Sequence, residues 1–181
     1  MMSGRITTRS LLALLLTSIV LITASCKSDS RVPQEQSMPS PFRGAAFRSL
    51  DELATAALNA LQSGRPEALH ALRVDREEYR DVIWSRIPQD ELANIDVETA
   101  WGWVERDSWK AVGRVITDFG GEKYTLKKTI ISKETRVFPQ IRVIYGLLVV
   151  AVDTQGNEGT IKLMNVVAEI DGYYRVIAFD S

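Results

Sequence analysis

Residues 160–179, TIKLMNVVAEIDGYYRVIAF, decide the fold. Asp171-Gly172 stands between two runs rich in β-branched and aromatic residues. A two-residue type I′ turn needs positive φ at both of its positions, which Asp and Gly accept more readily than most residues. The segment therefore reads as an antiparallel hairpin with strands at 160–170 and 173–179. In that register Ile170 pairs with Tyr173, Glu169 with Tyr174 and Asn165 with Ala178. Alternation along each strand puts Met164, Val166, Ala168, Ile177 and Phe179 on one face, which reads as plain core. The other face carries Val167 and Val176 with Asn165, Glu169 and Tyr174, a mixture that suits a lined pocket or a partner surface.

Working outward, residues 124–131 and 141–152 share the same chemistry, and the loop at 154–158 (TQGNE) joins the second of them to the hairpin. The simplest register adds Tyr145 to the mixed face. Upstream the period changes to helical. Ser49 with Glu52 forms a capping box for a helix through Leu53, Ala57, Leu58 and Leu61, ended by Gly64. Pro66 opens a further turn or two through Leu69 and Leu72. Asp75 with Glu78 caps another helix, which runs through Tyr79, Val82, Ile83 and Trp84 until Pro88 stops it. A longer helix spans 97–118 and closes at Gly120-Gly121. Spacing its residues 100° apart gathers Val97, Trp101, Val104, Ser108, Val112, Val115, Ile116 and Phe119 into one apolar stripe. Asp107-Ser108 could alternatively cap a second, shorter helix. Helices first and an antiparallel meander afterwards give an α+β domain, expected to span 47–181.

Helices packed on a curved antiparallel sheet that ends in Asp171-Gly172-Tyr173-Tyr174-Arg175-Val176-Ile177 resemble the nuclear transport factor 2-like fold, also called cystatin-like or SnoaL-like. The resemblance covers residues 49–181 and rests on element order and the terminal hairpin. It implies a strongly bent sheet that closes with the helices around a conical cavity. The fold hosts isomerases, dehydratases, ligand binders and partner domains alike, so activity must be read from side chains.

The other end of the chain carries an address. Arg5 and Arg9 precede an uncharged run at 10–25 dominated by Leu, Ile, Val and Ala. That run is short for a membrane span, which takes about 20 apolar residues, and fits a signal-peptide core. Ile22-Thr23-Ala24-Ser25-Cys26 resembles the lipobox of bacterial lipoproteins, with Thr23 where Leu is usual. The resemblance implies cleavage before Cys26, acylation of its thiol and anchoring to a bilayer. Cys26 is the only cysteine, so no internal disulfide is available and the thioether would occupy the one thiol. Lys27 after the cysteine implies onward sorting to the outer membrane, facing the periplasm, in a bacterium with two membranes. Residues 27–44, with Pro33, Pro39 and Pro41, offer little to bury and read as a tether; acylated cysteine and tether together are expected to fill 26–46.

Composition narrows the function. The net charge is -1 and the only charges in residues 1–25 are two arginines, so the remainder is weakly acidic and lacks the basic cluster that nucleic acid requires. His70 is the only histidine; it reads as a surface or helix-cap residue, which leaves no Ser-His-Asp triad or histidine metal site to build. The loop at 153–157 lacks the glycine and the twelfth-position acid of a calcium loop. Neither a metal nor a cofactor is expected. Glu105 is the one suggestive carboxyl, 40° from Trp101 on the helical wheel with Trp101 and Trp109 four residues to either side. Facing apolar neighbours, its pKa would rise and it could act as a general acid or base. Trp103 points away from the stripe as a further contact candidate.

The expected function is that of a non-enzymatic envelope lipoprotein, held to the bilayer by Cys26, whose domain binds a small ligand or an envelope protein. Glu105, Trp101, Trp109, Tyr145, Asn165, Glu169 and Tyr174 are its expected pocket lining. The alternatives are a lyase or isomerase using a buried carboxylate, and an assembly protein that forms homodimers through the sheet face. The anchor is directly testable. Cys26→Ser should leave the precursor unacylated and uncut, as read by mass spectrometry of the membrane fraction. Cleavage at another site, or an unmodified Cys26 in the wild type, would reject the lipoprotein reading.

Overall fold

The Ser49 hydroxyl accepts a hydrogen bond from the Glu52 amide at 3.1 Å and the Glu52 carboxylate accepts one from the Arg48 amide at 2.8 Å, so the first helix begins where the sequence placed its cap. In the computed structural model the described residues are 39–92 and 94–180. The expected signal peptide, Cys26 and the first part of the expected tether lie outside them. Helix α1 is Leu50–Gln62 and α2 is the short Pro66–His70. Helix α3, Arg76–Glu78, opens on a complete Asp75/Glu78 capping box and continues as a π turn over Tyr79–Ile83 and a 3-10 turn over Trp84–Arg86. Helix α4 runs unbroken through Val97–Phe119, with the Asp96 carboxylate accepting from the Glu98 and Thr99 amides. Ser108 is buried within it rather than capping a second helix. Among the described residues no helix is long and apolar enough to cross a membrane.

The sheet is antiparallel with five strands: β1 (Thr125–Ile131), β2 (Thr135–Phe138), β3 (Ile141–Val152), β4 (Glu158–Ile170) and β5 (Tyr173–Phe179). Spatial order is β1-β3-β4-β5, and β2 pairs with the first half of β3, on which Thr135 faces Ile144 and Phe138 faces Ile141. The chain is therefore α+β with an antiparallel sheet. Strand β2 had no counterpart in the sequence reading. Its four residues, two of them exposed, carry too short a pattern to register.

The terminal turn is as read. Asp171 and Gly172 have φ of +52° and +74°, and Ile170 faces Tyr173 and Glu169 faces Tyr174. Farther along the hairpin the simple register fails. Val166, not Asn165, faces Ala178, and irregularities fall between Met164 and Val166 and between Val166 and Val167. These bulges swing Met164 and Phe179 to the side of Val167 and Val176, all four being in one buried cluster. Side chains of β3 also change face around Gly146, whose φ is +68° and where a Cβ would stand 2.6 Å from the Ser132 hydroxyl, and the register with β4 shifts just beyond it, between Leu147 and Leu148. Before it, Val143 faces Ala168 and Tyr145 faces Val166 on the second cluster's side. Beyond it, Leu147, Val149 and Ala151 all join the first cluster. Tyr145 thus lies on the face opposite Glu169 and Tyr174, not with them.

Two cores result. One packs α1 and the second half of α4 on the sheet; the other packs Phe42, Tyr79, Ile83 and Trp101 on the opposite face of its turn end, through Ile141, Val143 and Ala168. The packed domain consequently starts before Phe47, where the sequence reading placed it. Phe42 is buried, and the Arg43 and Gly44 amides donate to Glu78 Oε1 at 2.6 and 3.0 Å. Phe42 and these backbone hydrogen bonds together anchor the segment. Glu78 and Arg175 are themselves buried and 3.3 Å apart. Removing one partner strands the other's charge, so Glu78→Ala should lower unfolding free energy by about 3–5 kcal/mol. A double change of Glu78→Leu with Arg175→Met should recover part of that loss in the same denaturant titration.

Candidate functional site

Strand β5 is shorter than its partner. Its pairing with β4 begins at Met164 opposite Phe179, and the Asp180 amide donates to the Leu163 carbonyl at 3.1 Å. Beyond that point, residues 158–162 of β4 pair with β3 on one side, and no strand among the described residues pairs with their other edge. The second half of α4 stands beside this edge because Ala111, Val112 and Val115 bury against the first core. Between helix and edge lies a cleft of about 660 Å³. Val115, Phe119 and Leu148 give it apolar walls, while Arg114, Lys133 and Lys162 face it with Asp118 and Asp180. A shallower depression of about 220 Å³ continues along β4 past Phe119, Gly159 and Thr160.

None of the five charged groups belongs to an ion pair of the described residues. Lys133 Nζ donates to Asn165 Oδ1 at 3.1 Å, which fixes that side chain across the bend. At the far end the Asp153 carboxylate accepts from the Gln155 and Asn157 amides at 2.8 and 2.9 Å. Those bonds, with that from the Asn157 side-chain amide, hold its pKa below the usual carboxylate value. The loop that resembles a calcium site in part is thus a closed turn. Chemically, the cleft can hold an elongated ligand that offers apolar surface and negative charge.

Of the residues singled out from sequence, Asn165 reaches the cleft through Lys133; the others lie elsewhere, in separate groups. Trp101 is buried, 5.3 Å from Tyr79 and with the Arg73 guanidinium 4.8 Å from its ring centre. Glu105, expected to face apolar neighbours, is exposed. Its carboxylate acts on Arg73 across the helix surface, opposing the fall in guanidinium pKa that burial causes. The basis for Glu105 as a buried acid is therefore absent: the stripe continues through Val104 and Ser108, and position 105 falls just outside it. Trp109 is 51% exposed and covers His70, with ring centres 3.8 Å apart. Tyr145 sits half-buried, 5.7 Å from the Arg136 guanidinium, and burial raises its phenol pKa. Glu169 pairs with Arg142 at 2.6 Å and with Tyr174 across the hairpin. Burial, and then Glu169, raise the Tyr174 pKa.

Scans against protein-family models, curated proteins and solved structures each return no match. Among the described residues no group of three or more His, Cys, Asp or Glu side chains is placed to hold a metal ion. Sequence reasoning missed the cleft because its charged residues come from four separate stretches of chain and share no motif. The sole usable signal was the unequal length of the two hairpin strands.

His70 is the last residue of α2, at the helix end as expected, but it is not an exposed surface residue. Its two ring nitrogens are buried without a hydrogen-bond partner, and its ring meets Trp109 at a 39° tilt and Phe179 edge-on. Burial, reinforced by Arg73, lowers its pKa to about 4. The neutral ring is the folded form, so the unfolded chain binds the extra proton between pH 6.5 and 4. Stability is full above about pH 6.5 and declines as pH falls towards 4. After discounting for solvent screening the loss should be about 1–2 kcal/mol. His70→Leu should flatten that part of a pH–stability profile, and an unchanged slope would show that His70 is solvated.

Proposed function

We propose that the chain is the precursor of a bacterial envelope lipoprotein whose α+β domain binds a ligand or partner in the cleft between α4 and β4. In this reading cleavage before Cys26 and acylation of its thiol anchor the protein to a membrane, and Lys27 directs it to the outer membrane facing the periplasm. The fold is of the nuclear transport factor 2-like type. Supporting that assignment are the helix-then-sheet order and the positive φ of Gly146 within β3, around which the strand's side chains change face. The observation that carries the binding reading is the cleft. It joins apolar walls to unpaired charges at the one stretch where β4 loses its second neighbour, the combination found in sites that orient a bound molecule.

The test is a titration of the isotope-labelled protein with small carboxylates of increasing apolar length, followed by amide NMR shifts. Shifts should gather at Arg114, Asp118, Leu148 and Lys162. Thr160→Trp, which places a large side chain at an exposed position of the cleft wall, should abolish them while leaving the remainder of the spectrum in place. Shifts gathered instead around Trp101 and Glu105, or unaffected by Thr160→Trp, would reject the cleft as the site.

A further inference from the structure

We propose that the cleft is a strand-addition site: it takes an extended, acidic polypeptide segment that pairs backbone to backbone with residues 158–162 of β4. The proposal rests on the cleft being the binding site and names its occupant.

The contrast between the two edges of the hairpin carries the inference. The outer edge of β5 is closed group by group. Phe47 and Tyr174 exchange amide-to-carbonyl bonds at 3.1 and 2.7 Å, the Val74 amide donates to the Val176 carbonyl at 2.9 Å, and the Phe179 amide donates to the Ser108 hydroxyl at 3.3 Å. The edge of β4 over 158–162 has no such closure among the described residues, since its pairing with β5 starts at Met164. Backbone groups in a strand are strong donors and acceptors, and an open edge is a template for another strand. Five residues of strand present about 17 Å of it. The cleft and the depression beyond it follow this same stretch, sharing Phe119 and Thr160. A strand laid there would continue the line of β5, with Val115 and Phe119 against its apolar side chains.

Charge selects the occupant. In the cleft proper Arg114, Lys133 and Lys162 outnumber Asp118 and Asp180, and none of the five is in an ion pair among the described residues. In the depression beyond, Glu158 is already paired with Lys127 and Asp153 is bonded within its own turn, so carboxylates of the incoming strand meet the basic groups at the α4 end. A second copy paired through the same edge would bring the same basic groups against these, which like charge opposes. Lys162, exposed on the edge, also disfavours pairing of two such edges.

The probe is a blocked heptapeptide of alternating Glu and Val, titrated into the full chain, with amide hydrogen exchange as readout. It should bind and slow exchange within 158–162. Of two versions N-methylated on alternate residues, one for each edge of the peptide, one should bind at least about tenfold more weakly. The Lys-Val counterpart, and the Glu-Val peptide against Lys162→Glu, should weaken by a similar factor. Equal binding of both methylated peptides in the cleft would overturn strand pairing while leaving the cleft a binding site. Absence of Glu-Val binding at millimolar concentration, with carboxylate ligands still shifting Arg114 and Lys162, would also overturn only this proposal. Concentration-dependent dimerisation that protects 158–162 would assign the edge to a second copy and overturn it too.

Discussion

The carboxylate of Glu78 and the guanidinium of Arg175 meet inside the domain, and each is also held by backbone. Glu78 accepts from the Arg43 and Gly44 amides with one oxygen and from the Asp75 amide with the other, at 3.2 Å. Arg175 donates to the Ala45 carbonyl and, at 3.0 Å, to that of Arg73. Burial lowers the pKa of that guanidinium and Glu78 opposes the shift. Taking two charges out of water costs several kcal/mol per ion, recovered only when geometry is good and the remaining hydrogen bonds are made. Here most of them are made, by three stretches of chain distant in sequence, and of this pair only the Arg175 Nε is left buried without a partner among the described residues. The pair therefore fixes where residues 42–47, residues 73–78 and β5 stand relative to one another. Gly44 passes so close to the guanidinium that a Cβ there would overlap it.

Closure of β5 follows from that arrangement. With 42–47 and 73–78 clamped against it, Phe47 and Val74 reach the β5 backbone and consume its outer hydrogen bonds. Nothing equivalent reaches the first half of β4. The buried ion pair thus helps to seal β5, while the stretch of β4 that β5 does not cover stays unpaired beside α4, as do the outer edges of β1 and β2, among the described residues.

Much of this was legible in local sequence. The caps at Ser49 and Asp75 and the Asp171-Gly172 turn are read within four residues, because capping and turn geometry depend on near neighbours. The α4 stripe was legible as well: Trp101, Ser108, Val112 and Val115 are buried as the 3.6 period requires. What failed were inferences that carry alternation across an irregularity. Gly146 has no local signature of the change of face that occurs around it, yet that change leaves Tyr145 on the opposite face from Glu169. Bulges around Val166 likewise shift Asn165 out of register. Glu105 failed for a related reason: a wheel fixes angles on a helix, not where the neighbouring layer ends. Glu78 and Arg175 were unreadable as a pair because nearly a hundred residues separate them.

The packed N-terminal segment changes what an anchor at Cys26 would permit. A tether reaching to 44 or beyond would give the domain a long leash. With Phe42 buried and the Arg43 and Gly44 amides bound to Glu78, the packed domain is separated from Cys26 only by residues 27–41. At about 3.5 Å per residue, covalent geometry caps the distance they can bridge at roughly 55 Å. Under the proposed lipid attachment the domain stays close to the membrane surface, and an extended partner would be captured there at raised local concentration. Weak strand pairing along five residues suits that setting, since proximity supplies part of what a short edge cannot.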